Sequence, residues 1–203
     1  MREVMWAPVE APGIEHLCLG VGDGGIEADG LVVGIEEGQA FRLSYEIRCD
    51  ARWRVREVRA ILLDRGGGLH LHADGEGRWT TGDGRPLPEL DGCIDVDLSA
   101  TPFTNTLPIR RLGVRPGGSA QIVVAWIAAP DLSVEVARQR YTRLDARPDG
   151  GRYRFEALPN DRLPDGFVAE LAVDGDGLVV DYPGLFRRVW AGHLGSAAGG
   201  RNG

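Results

Sequence analysis

Lysine is absent from this chain; all 23 basic residues are arginines. No lysine is therefore available as a Schiff-base nucleophile or as the cation of a phosphate loop. Positive charge is also outnumbered: 30 acidic residues leave a net charge of −7. That balance argues against a general nucleic-acid binder and against a protein held on anionic membranes by charge. Cysteine is scarce. Cys18, Cys49 and Cys93 are an odd count at wide spacings with no CxxC pair, which fits reduced thiols and not a disulfide framework or a structural zinc site. No apolar run approaches the ~18–20 residues of a spanning helix. The opening residues, MREVMWAPVEAPG, lack the apolar stretch of a signal peptide. The expectation is a cytoplasmic protein with no stable membrane insertion. Catalytic templates are missing too: there is no GxSxG elbow, and no glycine-rich stretch ends in GKS or GKT.

What is present is a rhythm of short apolar runs broken by 30 glycines and 12 prolines. Candidate strands are His16–Val21, Gly30–Ile35, Phe41–Cys49, Val55–Leu63, Leu69–Ala73, Ile94–Leu98, Ala120–Ala128, Arg152–Leu158, Phe167–Val173, Val179–Tyr182 and Leu185–Trp190. Turn clusters such as Asp23-Gly24-Gly25, Gly66-Gly67-Gly68 and Asp149-Gly150-Gly151 separate them. The residues from Val134 to Leu144 fit a helical period, but a strand with Ala137, Gln139 and Tyr141 on one face is preferred, because the tract follows a β-branched run and lacks a helix stop. The predicted fold is all-β: a single antiparallel barrel or half-barrel of many short strands, with at most one or two short helical turns. One domain over residues 1–190 is expected, followed by a flexible tail over 191–203.

The segment Asp91–Leu112, DGCIDVDLSATPFTNTLPIRRL, concentrates the polar chemistry. Alternation places Cys93, Asp95 and Asp97 on one strand face and Ile94, Val96 and Leu98 on the other. Thr101 and Pro102 are suited to open a tight helical turn over PFTNTLP. Pro108 is read as forcing an exit, with Ile109–Leu112 carrying two arginines onward as a strand. This strand–turn–strand unit would gather Asp95, Asp97, Thr104, Asn105, Arg110 and Arg111. Two acids at i and i+2 lie about 6.5–7 Å apart along a strand, a spacing that overlaps an inverting glycosidase pair; pairing with the arginines is the more ordinary use.

Other features carry less. His70-Leu71-His72 with Glu76 resembles half of a cupin metal motif, but no second half follows, so no metal site is assigned. Trp53, flanked by Arg52, Arg54 and Arg56, either tops a solvated row of arginines or turns them into a polar interior to meet acids such as Asp95. Trp and Tyr residues such as Trp53 and Tyr141 suit sugar stacking or an acyl-chain cavity as well as plain core packing.

The Asp91–Leu112 segment closely resembles the signature of a bacterial family known as putative glycolipid-binding proteins. Gly13–Leu17 (GIEHL), Tyr45–Arg56 (YEIRCDARWRVR), Gly77-Arg78-Trp79, Gln139–Leu144 (QRYTRL) and Gly177–Arg188 (GLVVDYPGLFRR) resemble further family blocks. The likeness covers about Trp6 to Trp190. It implies a single β-rich, barrel-like domain akin to lipoprotein-carrier half-barrels, and a non-enzymatic carrier or sensor for a small amphiphile with a sugar or other polar head. On that reading Asp95, Asp97, Thr104, Asn105, Arg110 and Arg111 hold the head at the barrel mouth, Tyr182 and Arg187 approach it, and Trp53 and Tyr141 supply aromatic faces. No cofactor is expected. The alternatives are a hydrolase or isomerase acting on a carbohydrate or lipid head through Asp95 or Asp97, and a purely architectural plug whose polar groups bond only to one another.

Overall fold

A computed structural model describes residues 1–194. The chain runs first through β1 (Arg2–Pro8), β2 (Ile14–Gly22), β3 (Gly25–Glu36), β4 (Gln39–Cys49), β5 (Val55–Leu62), β6 (Gly68–Ala73) and β7 (Trp79–Thr81). β8 (Asp95–Leu98) and a helical segment over 103–112, which ends as α1 (Thr106–Leu112), come next. β9 (Ser119–Ile127), β10 (Val134–Arg147), β11 (Gly150–Ala157), β12 (Phe167–Asp174), β13 (Val179–Tyr182) and β14 (Phe186–His193) complete the order. β14 pairs with β1, so both meanders join one 14-stranded sheet in the order β7-β6-β5-β4-β3-β2-β1-β14-β13-β12-β11-β10-β9-β8. The fold is all-β, as the spacing of apolar runs and turn glycines predicts.

Alternation decides which side is core. Along β3, Ile26, Ala28 and Val32 are buried while Glu27, Asp29 and Leu31 face out, the period of two that a half-buried strand imposes. The inward face carries Trp6 and Trp79, whose indole N–H groups donate to Val179 O at 2.8 Å and Cys93 O at 2.7 Å. Large rings are thus buried without an orphaned donor. Gly30, on the same face of β3, leaves room for Tyr45: a Cβ there would sit 2.1 Å from the tyrosine ring. Gly30→Ala is expected to cost about 1–3 kcal/mol, the usual cost of overpacking, measurable as a lowered urea midpoint.

The sheet curls but does not close. Val55 N donates to Ile94 O at 3.4 Å and Gly92 N to Gly77 O at 2.8 Å, so the segment leading into β8 touches the start of β5 and the loop before β7 through isolated bonds. β7 and β8 nonetheless remain the sheet's edges; the closed-barrel form of the expectation does not hold. The sheet is not wholly antiparallel either, since β8 pairs in parallel with β9. A parallel partner demands a crossover, and the helical segment supplies it.

Three further expectations are corrected. Ile109–Leu112 is helix, not strand: Pro108 lies in the first turn of α1, where its missing N–H has no intrahelical partner to lose. Gly113, left-handed at φ 54°, ends the helix. The expected tail begins too early, because Ala191–His193 belong to β14 and pair with β1, His193 opposite Arg2; the remainder of that tail, beyond residue 194, lies outside the described residues. Finally, β1 and the three-residue β7 were not among the candidate strands.

Candidate ligand cavity

The segment after β8 is the link between the two halves of the core. Phe103 and Leu107 are packed among the residues of β1–β9, whereas Ile109 joins the cluster of Tyr141, Tyr153, Phe155, Leu171 and Tyr182. Its polar groups reach both sides. Thr101 Oγ1 accepts from Phe103 N at 3.0 Å, which starts the helical turn as the sequence predicts, and donates to Glu15 Oε1 on β2 at 2.6 Å. Thr106 Oγ1 donates to Gly177 O at 3.0 Å.

Beside this segment lies a cavity of about 430 Å³, within the usual size range of small-molecule sites. Asp97, Leu98, Thr101 and Asn105 form its floor, and Ala137 and Gln139 of β10 form one wall. An aromatic wall continues from it with Phe155, Phe167, Tyr182 and Phe186, one from each of β11 to β14. Tyr182 is central, with ring centroids 6.1 Å from Phe155, 6.2 Å from Phe167 and 6.4 Å from Phe186. The more exposed end carries Trp126, covered by the Arg162 guanidinium 4.9 Å from its centroid, and Arg162 pairs with Glu135 at 3.3 Å.

The floor is a hydrogen-bonded network. Asp97 Oδ1 accepts from Thr104 Oγ1 at 3.0 Å and Oδ2 from Gln139 Nε2 at 2.5 Å. Tyr141 Oη shares its proton between Asn105 Oδ1 at 3.0 Å and Gln139 Oε1 at 3.3 Å. No arginine pairs with Asp97 among the described residues. Burial pushes its carboxyl above the ordinary aspartate range, against the pull of Thr104 and Gln139. Burial also holds the Tyr141 and Tyr182 phenols well above 10, so both stay protonated donors. Behind Thr101, Glu15 is fully enclosed; Tyr45 Oη donates to its Oε1 at 2.5 Å, while Oε2 has no partner. Desolvation raises this carboxyl to about 7.

The expected site thus divides. Asp97, Asn105 and Tyr182 line the cavity, with Thr104 and Tyr141 supporting them from beneath. Asp95 does not: it is completely buried and is clamped by Arg111, with Nε 3.0 Å from Oδ1 and Nη2 2.5 Å from Oδ2. The sharing of one face by Asp95 and Asp97 is therefore no paired active site, because the helix covers Asp95 with its own cation. Arg110 points elsewhere, its guanidinium 5.2 Å from the Trp53 centroid; continuing the helix through Pro108 turns positions 110 and 111 away from the face of Asn105. Trp53 sits in the turn after β4 at φ 64° and borders a separate depression with Arg52, Arg54, Arg110 and Arg111. The arginines flanking it stay in the solvated arrangement: Arg54 pairs with Asp50 at 2.7 Å, and Arg56 bonds the Asp74 carbonyl. Arg187 is exposed and pairs with Asp181 at 3.4 Å; the β13–β14 register sets Tyr182 opposite Phe186 on the inward face and Asp181 opposite Arg187 on the outward one.

Sequence reasoning missed Glu15, Gln139 and the Phe155–Phe167–Phe186 wall. Gln139 was readable in part, since alternation already put it on the face of Tyr141. Glu15 was hidden because a strand begun at His16 leaves it outside, whereas β2 begins at Ile14 and turns Glu15 inward with Leu17 and Leu19.

An open, curled sheet thus wraps a helical plug and leaves an aromatic-walled cavity beside it. Residues 3–188 match the family model described as "Putative glycolipid-binding", and the chain belongs to that family. The crystal structure of a DUF1089 family protein from Pseudomonas aeruginosa is similar, with 42% identity over 86% of this chain and 92% of that one, at a TM-score of 0.75. Among curated proteins no match is found.

Proposed function

We propose that this protein binds, without covalent chemistry, an amphiphile whose apolar chain lies along Phe155, Phe167, Tyr182 and Phe186 and whose hydroxyl-bearing head meets Asp97, Asn105 and Gln139. The observation that carries this reading is the joining of an aromatic wall to a polar floor within one 430 Å³ cavity. A carboxylate offers about four lone-pair sites and an amide two donors, so Asp97 and Asn105 retain capacity for sugar hydroxyls beyond their present bonds. Among the described lining residues the one arginine, Arg162, stands over Trp126 and pairs with Glu135, so a hydroxyl-rich head suits the floor better than a phosphate. The family's description points the same way, although a fold alone does not establish a ligand.

A chain-length series of monomeric alkyl glucosides tests this by calorimetry. Each methylene buried along the aromatic wall contributes about 0.8 kcal/mol, so affinity should rise about fourfold per carbon until the cavity is filled. Ala137→Trp, which fills the space, should weaken binding at least ~10-fold while leaving the unfolding transition in place. Absence of binding across the series, or indifference to Ala137→Trp, would defeat the proposal.

A second reading rests on one observation: Asp97 is a carboxyl of raised pKa bordering a cavity, a common signature of an acid–base residue. Turnover of aryl glycosides or glycolipid esters that disappears in Asp97→Asn would favour a hydrolase. Asp95 is no part of that reading, because its carboxylate is occupied by Arg111.

A further inference from the structure

On the outer surface of the sheet, away from the cavity, β1 and β2 bring together three metal-ligating side chains. Glu3 stands directly opposite Cys18 in the antiparallel register, and His16 is two residues from Cys18 on the same face. Glu3 Oε1 lies 3.2 Å from His16 Nε2 and 3.8 Å from Cys18 Sγ, and the His16 and Cys18 donors are 3.9 Å apart. A tetrahedral zinc with bonds of about 2.0–2.1 Å to nitrogen and oxygen and about 2.3 Å to sulfur places its ligand atoms about 3.3 Å (N to O) and about 3.6 Å (S to N or O) apart. The triangle already matches three corners of that tetrahedron to within a few tenths of an ångström. We propose that Glu3, His16 and Cys18 form a binding site for a borderline-soft divalent cation such as zinc, with the fourth position left to water or to Asp29.

The surroundings favour a cation here. Asp29 of β3 is the cross-strand neighbour of Cys18 on its other side, adding a second carboxylate. Among the described residues Glu3 has no arginine partner; its close side-chain neighbours are the His16 imidazole and the Cys18 thiol. The site is also partly screened from water. β14 presents Gly192 opposite Glu3, and the Trp190 ring lies where a Cβ of Gly192 would be. The Glu3 side chain is accordingly only 16% exposed, and partial desolvation strengthens its attraction for a cation. Cys18 is the accessible cysteine, since Cys49 and Cys93 are buried.

The other cluster of this type, Glu57 with His70 and His72, shows why geometry alone is not enough. There Glu57 already holds Arg59 at 2.8 Å and Arg48 at 3.2 Å, and Arg59 Nε also donates to His70 at 3.3 Å. Two guanidiniums occupy the charge that a metal would need. Glu76, the acid that the sequence pattern supplied, is not in that cluster; Glu57 takes its place.

Binding requires the thiol to give up its proton to solvent as the sulfur–metal bond forms, so affinity should rise with pH. The decisive probe is cobalt(II) added to the reduced, metal-free protein under anaerobic conditions. The expected result is one equivalent bound, a thiolate-to-cobalt charge-transfer band, and its removal by zinc(II). Cys18→Ser should abolish the band, and His16→Ala and Glu3→Gln should each weaken binding at least ~10-fold, with thermal unfolding of the metal-free variants unchanged. No band, a band that survives Cys18→Ser, or binding lost through His72→Ala instead of His16→Ala would each overturn the assignment. Glu3, His16 and Cys18 do not border the amphiphile cavity, so this outcome is independent of that reading.

Discussion

Arg111→Met will destabilise the protein by about 3–5 kcal/mol, the usual consequence of leaving a buried charge without its partner. Asp95 has no exposed surface and Arg111 is only 17% exposed, so water cannot take over the role of the guanidinium. The carboxyl is already pushed above the ordinary range by burial, with Arg111 opposing that push. Without the arginine nothing offsets that push and the carboxyl rises further; a group whose folded pKa is raised loses stability as pH climbs, so the loss should shrink as pH falls. Arg111→Lys should recover only part of the stability, because an ammonium cannot repeat the two-point grip on Oδ1 and Oδ2. The double variant Asp95→Leu/Arg111→Met should lie much closer to wild type, since replacing a whole buried pair by apolar groups is often neutral. Urea unfolding of wild type, Arg111→Met, Asp95→Leu and the double variant closes the cycle, with Arg111→Lys measured beside them. A single-variant loss under about 1 kcal/mol, the range of a surface ion pair, would mean that the pair is solvated. The same variants bear on the cavity, because the pair ties α1 to β8 and so fixes where Asn105 stands relative to Asp97.

Much of the fold was legible in the residues. Turn glycines and the period of two mark most of the strands, and the tract beginning at Val134 is the strand that its β-branched approach suggests. Two kinds of information were not local. Pro108 reads as a helix breaker in isolation, but its effect depends on which turn it occupies; α1 begins only at Thr106, so Pro108 falls in its first turn. Pairing is the other. Nothing in IDVDL specifies a parallel partner, yet pairing with β9 and cover from α1 bury both faces of β8, with Asp95 and Val96 at 0% and 1% exposure. The alternation was real, but it did not separate a wet face from a dry one.

The candidate site was legible as a neighbourhood more than as a set of contacts. Asp97, Asn105, Tyr141 and Tyr182 do converge. Arg110, Arg111, Trp53, Asp95 and Arg187 are diverted by partners that come from helix phase and hairpin register. Polar density in a sequence therefore marked the plug, while the aromatic wall came from single phenylalanines spread over β11, β12 and β14, each unremarkable alone.

Glu15 gives the second large effect, and its sign is opposite to that of an ordinary paired carboxylate. Burial lifts it from 4.5 to about 7, so between these values the folded protein holds a proton that the unfolded chain releases. Stability from this group is complete below pH 4.5 and is lost as pH rises to about 7. The displacement corresponds to about 3 kcal/mol at pH 8. The orphaned Oε2 is the physical origin: ionisation would leave charge on an oxygen with no donor, since Tyr45 and Thr101 both serve Oε1. Glu15→Gln keeps an acceptor for those two hydroxyls and has nothing to ionise. It should match wild type near pH 4.5 and exceed it by up to about 3 kcal/mol at pH 8. The raised Asp95 and Asp97 carboxyls remain in both proteins and cancel in the comparison. Urea unfolding at the two pH values reads the difference directly. Equal stability of the two proteins at pH 8 would show that Glu15 ionises without cost, and the link from β2 through Thr101 to the cavity floor would then have to rest on a solvated carboxylate.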